Sequence, residues 1–148
     1  MLRWNGPKTR ADAGRASIEF LVFAMVVFVP LVFVIQSLWS IQAAAIGTEQ
    51  AARDAVRVFV QHTNTQSASS ASHTIATHVA SEHGLTGPLR FQRSCQPTNC
   101  LAPGALVTIR VSTDVRLWQV PVFSGAWPVS VPVGSQASAR VSTYGGGR

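Results

Sequence analysis

Glu19 is the residue whose position most demands a chemical reason. It is a carboxylate at the edge of an apolar run, and the nearest base at helical spacing is Arg15, four residues earlier. A charge at membrane depth is costly, so it marks either a functional pairing or a group that snorkels into the headgroup region. The cysteines, Cys95 and Cys100, bracket the turn-forming residues Pro97 and Asn99 in the run CQPTNC. They are too few for a structural zinc site. In an exported domain they read as a local disulfide, and in a reducing compartment as two thiols. The acids beyond the apolar run, Glu49, Asp54, Glu82 and Asp114, are dispersed. His73, His78 and His83 recur every five residues, a spacing that does not share one helix face. No metalloprotease, nucleophile-elbow, phosphate-loop or C-x-x-C motif is present. These residues lead us to expect no enzyme, no metal site, no cofactor and no small-molecule substrate.

The element that must position Glu19 is a membrane helix. From Phe20 to Ile35 there is no polar side chain, and Ile18 with Ser37, Leu38 and Trp39 lengthens the run past about 20 residues, enough to span a bilayer core of about 30 Å. Pro30 lies inside it and is tolerated in membrane helices, while Trp39 stands where an interfacial anchor belongs. Arg3, Lys8, Arg10 and Arg15 precede the run against Asp12 alone; Glu49, Arg53, Asp54 and Arg57 follow it and balance. The positive-inside rule then predicts a single-pass protein of the cell membrane, N-terminus cytoplasmic and C-terminal domain extracytoplasmic. A secretory signal peptide is the competing reading, with Ala43-Ala44-Ala45 as its cut site and a soluble secreted binding domain as the product. The run exceeds the usual signal-peptide core, and helical sequence continues past Ala45. A third reading is an uncleaved, membrane-anchored envelope scaffold.

Composition agrees with an anchor plus one small domain. The chain has 148 residues, 12% of them charged, against about 25% in soluble domains. Its formal charge of +6 comes from scattered arginines, with Lys8 the sole lysine, and no basic run interleaved with aromatics points to nucleic acid.

The segment Ala13-Gly14-Arg15-Ala16-Ser17-Ile18-Glu19-Phe20 resembles the processing site of type IV prepilins and pseudopilins. In that class a membrane-embedded prepilin peptidase cuts after a glycine, and glutamate is the fifth residue of the mature chain. Gly14 and Glu19 have this spacing; Arg15 takes the first mature position, where smaller or apolar residues are common. Within the class the chain is most similar to the TadE-like family of tight-adherence (Tad/Flp) pilus systems. The stretch Ala51-Ala52-Arg53-Asp54-Ala55-Val56-Arg57 and the ending Ala137-Ser138-Ala139-Arg140-Val141 match family features, so the resemblance covers nearly the whole chain. It implies a minor pseudopilin-like or assembly component of a Tad-type pilus or secretion apparatus. Its partners would be the prepilin peptidase and other pilus or pseudopilin subunits. Cleavage would create an amine on Arg15 that Glu19 of a neighbouring subunit could neutralise. Such a pair is strong at low dielectric and costly to leave unmade.

The expected fold is α+β. Residues 1–14 form a basic leader, 15–40 the transmembrane helix, 41–62 its extracytoplasmic extension, 63–144 a small exodomain and 145–148 a disordered tail. The extension from Ile41 to Gln61 lacks proline and has Gly47 as its weak point, with Ile46, Ala52, Val56, Phe59 and Val60 forming an apolar side. Arg53 and Arg57 are either partner contacts or a solvated face. The Ser/Thr-rich stretch from Thr63 to Ser72 reads as a loop, followed by a short helix from Ser72 to His83 closed by Gly84, with Ile75, Ala76 and Val79 inward. Period-two alternation then predicts three or four antiparallel strands: a short one over Leu89 to Arg93, a long one from Val107 to Leu117 that is single or kinked at Thr113, and stretches over Val129 to Val133 and Ala137 to Val141. Pro132 suggests an edge. Trp118, Phe123 and Trp127 read either as cover for the sheet or as an interaction surface.

Overall fold

The computed structural model describes residues 11–117 and 130–144, with side chains from residue 17. The order is α1 (Ala11–Gln61), α2 (Thr65–Glu82), β1 (Arg90–Gln96), β2 (Leu106–Arg116) and β3 (Ser130–Arg140). The architecture is α+β, with two helices beside one antiparallel sheet of order β1-β2-β3. The aromatic group Trp118, Phe123 and Trp127 and the glycine tail lie outside the described residues.

Helix α1 is unbroken for 51 residues, through Pro30, which at 1.5 Å per residue is about 76 Å. Its two halves obey different rules. Apart from Phe33, which is partly covered, the large apolar side chains between Ile18 and Trp39 are exposed. Ser37 and Ser40 donate their hydroxyls to the carbonyls of Phe33 and Gln36 one turn back. Beyond Trp39 one stripe of the helix is buried: Ala44, Thr48, Ala51, Ala52, Ala55, Val56 and Phe59. The steps of three and four residues make a single face. Ile46, expected on that face, is instead 52% exposed. The stripe is built of small residues because α1 lies close to its neighbours, so side-chain size misleads at Ile46.

The Ser/Thr-rich stretch expected to be a loop is mostly helix. Only residues 62–64 separate α1 from α2. Asn64 has extended backbone, and its side-chain oxygen accepts from the amides of Gln66 and Ser67, which starts the helix. Ser67, Ser70, Thr74, Thr77 and Ser81 then return their hydroxyls to carbonyls three or four residues earlier, so they no longer compete for the backbone. The inner face of α2 is again small: Ala68, Ser72, Ala76 and Ala80, with Val79. Ile75 is partly buried against the core. His83 is the C-cap, and Gly84 follows at φ 74°, the left-handed conformation that ends a helix most readily without a Cβ.

In β2 the odd positions Val107, Ile109, Val111 and Thr113 are buried and the even ones are not. The strand runs through Thr113 without interruption and ends at Arg116, before Leu117. The two alternating stretches near the C-terminus are one strand, β3, paired with β2 over its whole length. It is an edge strand, and its Pro132 lies opposite Asp114. A proline has no N–H for a second neighbour and is at home there. Strand β1 begins one residue after the expected Leu89 and extends to Gln96.

The core lies between the sheet and both helices, with Phe59, Ile109, Val107 and Val111 its largest fully buried side chains. The Arg93 guanidinium covers the Phe59 ring at 5.0 Å from its centroid, and His73 of α2 meets Phe91 of β1 edge-on at 5.6 Å. Cys95 and Cys100 are joined in a disulfide at the end of β1, and both pack on the core.

Candidate functional site

The features that could act are distributed along α1. Gly14 and Arg15 fall in the helical backbone near its start, and Glu19 lies one turn beyond Arg15 with an exposed side chain. Ile18 to Trp39 spans about 33 Å along the axis, comparable to the thickness of a bilayer core. Helix α1 is long and apolar enough to cross a membrane, and its most apolar stretch has no part buried within the protein.

Beyond Trp39 the same helix becomes a wall of the α+β domain. Gly47, read as a weak point, is a close-approach position: a Cβ there would stand 2.8 Å from the His83 Cβ and 3.1 Å from Leu85 Cδ1. Thr48 Oγ1 is 3.3 Å from Ser135 Oγ of β3, a polar contact between anchor helix and sheet that no local pattern announces. His83 is bonded through Nε2 to Gln50 Oε1 at 2.7 Å, joining α2 to α1 a second time. The Ala43-Ala44-Ala45 site lies within continuous helix, with Ala44 fully buried.

Arg53 and Arg57 each find a carboxylate on their own helix. Arg53 pairs with Glu49, and Arg57 Nη1 lies 3.8 Å from Asp54 Oδ1; all four side chains are exposed. Such pairs are worth little and leave several donors open to solvent. The remaining described ion pairs are His78 with Glu82 and Arg90 with Asp114.

The histidines do not converge. His62 bonds the Val58 carbonyl, His73 packs on Phe91, His78 faces Glu82 and His83 holds Gln50. Among the described residues no group of three or more His, Cys, Asp or Glu is placed to hold a metal ion.

Among the described residues, two open depressions lie on the α+β domain. One, of about 790 Å³, lies where α1 enters it, between Trp39, Ala43, His83, Pro88 and Arg116. The other, of about 720 Å³, lies on the sheet around Gly134, Ser112, Arg90 and Arg110 and reaches Glu49 and Arg53. The second was not anticipated. Its signal was present in the alternation of β2, which puts Arg110 and Ser112 on one face, but which residues of β1 and β3 stand beside them depends on register.

No protein-family model, no curated protein and no solved structure matches the chain.

Proposed function

We propose that the protein is a minor pseudopilin-like or assembly component of a Tad-type pilus or secretion apparatus. In this reading α1 sits in the cell membrane with its N-terminus in the cytoplasm and the sheet domain outside. A prepilin peptidase removes residues 1–14. Glu19 then meets the new amine on Arg15 of a neighbouring subunit and sets the stagger between their helices. The protein acts through helix association in the membrane and exodomain contacts outside it, as a substrate of the peptidase.

The observation that carries this reading is the division of α1. One unbroken helix is largely apolar and exposed from Ile18 to Trp39, then forms part of a small α+β domain's core from Ala44 to Phe59. A helix shared in this way makes the anchor rigid with the domain, which suits a subunit whose outer contacts must follow its packing in the membrane. The Gly14–Glu19 spacing supplies the chemistry at its start. Release near Ala45 fits less well, because it would cut α1 beside the buried Ala44 and three residues before Thr48, which contacts the sheet.

The test is Glu19→Gln, which keeps the size and removes the charge. Cysteine cross-linking along the Ile18–Trp39 segment in native membranes should capture neighbouring pilus subunits in the parent protein. The variant should remain folded and membrane-bound and lose most of that cross-linking. Normal cross-linking and normal assembly in Glu19→Gln would remove the pairing from the mechanism.

A further inference from the structure

We propose that the outer face of the sheet, centred on Arg110, binds an acidic segment of a partner protein. This goes beyond the membrane helix and does not depend on cleavage at Gly14.

The face is defined by register. Every even-numbered position of β1, β2 and β3 points away from the helices, as the burial of the odd positions of β2 requires. Two adjacent rows form its centre. Arg90, Ser112 and Gly134 make one, and Gln92, Arg110 and Gln136 make the next. The first row is low in the middle: a Cβ on Gly134 would stand 2.6 Å from the Ser112 Cβ, so only glycine permits this close pairing. The second row is tall. The result is the depression of about 720 Å³, open to solvent and rimmed by arginine and glutamine side chains.

Its charge is mainly basic. The strand positions of the outer face carry Arg90, Arg110, Arg116 and Arg140 against Asp114, which Arg90 engages; at the β3 edge the depression also reaches Glu49, which Arg53 engages, so among the described residues Arg110 is the cation at its rim that no carboxylate neutralises. Its Nη2 donates to Gln136 Oε1 at 2.9 Å, and both side chains are exposed and line the depression. A planar fork of this kind suits a carboxylate, which it can grip with two parallel bonds. The cations are all arginine; the chain's one lysine is Lys8.

Other anionic partners fit worse. No even-numbered position of the three strands is aromatic, so among the described residues the strands offer no ring on this face on which a sugar could stack. In the proposed topology Arg116 stands beside Trp39 at the membrane end of the face, whereas Arg110 is out of reach of lipid headgroups. Ser135, beside Gly134, contacts Thr48, which is nine residues beyond Trp39 and so about 14 Å further from the membrane surface. A polypeptide carrying glutamate or aspartate is the partner with carboxylates at this height and no need for aromatic contacts.

The experiment uses the full chain in detergent micelles and a labelled 20-residue poly-glutamate peptide, followed by fluorescence anisotropy, with a neutral Gly-Ser peptide as reference. The peptide should bind the parent protein in a salt-dependent manner, and the Gly-Ser peptide should not. R110Q should weaken binding about tenfold while circular dichroism stays unchanged. Gln136→Ala, which frees the guanidinium and keeps its charge, should weaken it by a smaller factor. R93Q removes one charge from the opposite face of the sheet and should leave affinity within about twofold. Equal losses in R93Q and R110Q would mean attraction to net charge alone and would overturn the proposal. Undetectable peptide binding would also overturn it, as would stronger binding of an oligogalacturonate, which would give the face to an acidic glycan.

Discussion

Gly47→Ala tests whether the anchor helix and the exodomain are one packed unit, because two effects of known size oppose each other. In an isolated helix this change stabilises by about 1 kcal/mol, since glycine loses more backbone freedom than alanine. Here the new methyl would lie 2.8 Å from the His83 Cβ and 3.1 Å from Leu85 Cδ1. The Leu85 methyl can move. The His83 Cβ is fixed to the backbone at the C-cap of α2, so α1 and the end of α2 must separate. Overpacking of this kind costs about 1–3 kcal/mol. The expected sum is a loss of about 1 kcal/mol. Hydrogen exchange of the buried β2 amides in the detergent-solubilised full chain measures it, because the slowest amides report opening of the whole domain. Ile46→Ala, next door and exposed, should change the same quantity by less than about 0.5 kcal/mol. Stabilisation by about 1 kcal/mol in Gly47→Ala would show that helix propensity acts alone. The close approach of α1 to His83 would then be refuted.

Two further perturbations probe the domain. Phe59 is fully buried beneath Arg93, so Phe59→Ala should destabilise by about 3–5 kcal/mol in the same exchange measurement, enough to leave the exodomain marginal. Replacing both Cys95 and Cys100 by serine opens a loop with a sequence separation of 5, for which chain entropy gives a loss of about 2 kcal/mol; the domain should stay folded and the loss should appear in β1 and β2 amides.

Much of this architecture can be read from the residues because it rests on strong periodicity. The apolar run through Phe20–Ile35 and the alternation from Val107 to Val115 each follow one period for long enough to identify an element. The features that escape such reading have small or polar residues doing the packing. Thr65 to Ser72 looks like a loop by composition, yet it is helical once Asn64 caps it and its hydroxyls bond to their own helix. Ile46 looks like core and is not, because α1 buries Ala44, Gly47 and Thr48, where close approach favours small groups over large ones. The sheet depression is hidden for a different reason. Arg90, Arg110 and Gly134 are far apart in sequence and become neighbours only through the register of three strands. Gly14 and Glu19 are the opposite case, since their spacing is a local fact and the fold adds only the helix that carries them.

The most direct test of the proposed role is the N-terminus of the mature protein, taken by intact mass and N-terminal peptide mapping from membranes of its own cell. Removal of residues 1–14, giving a chain that begins at Arg15 in the membrane fraction, is the predicted result. A chain beginning near Ile46 in the soluble fraction would contradict it and indicate a secreted domain. An intact or Met-trimmed chain would contradict prepilin-type processing and leave a membrane-anchored envelope protein.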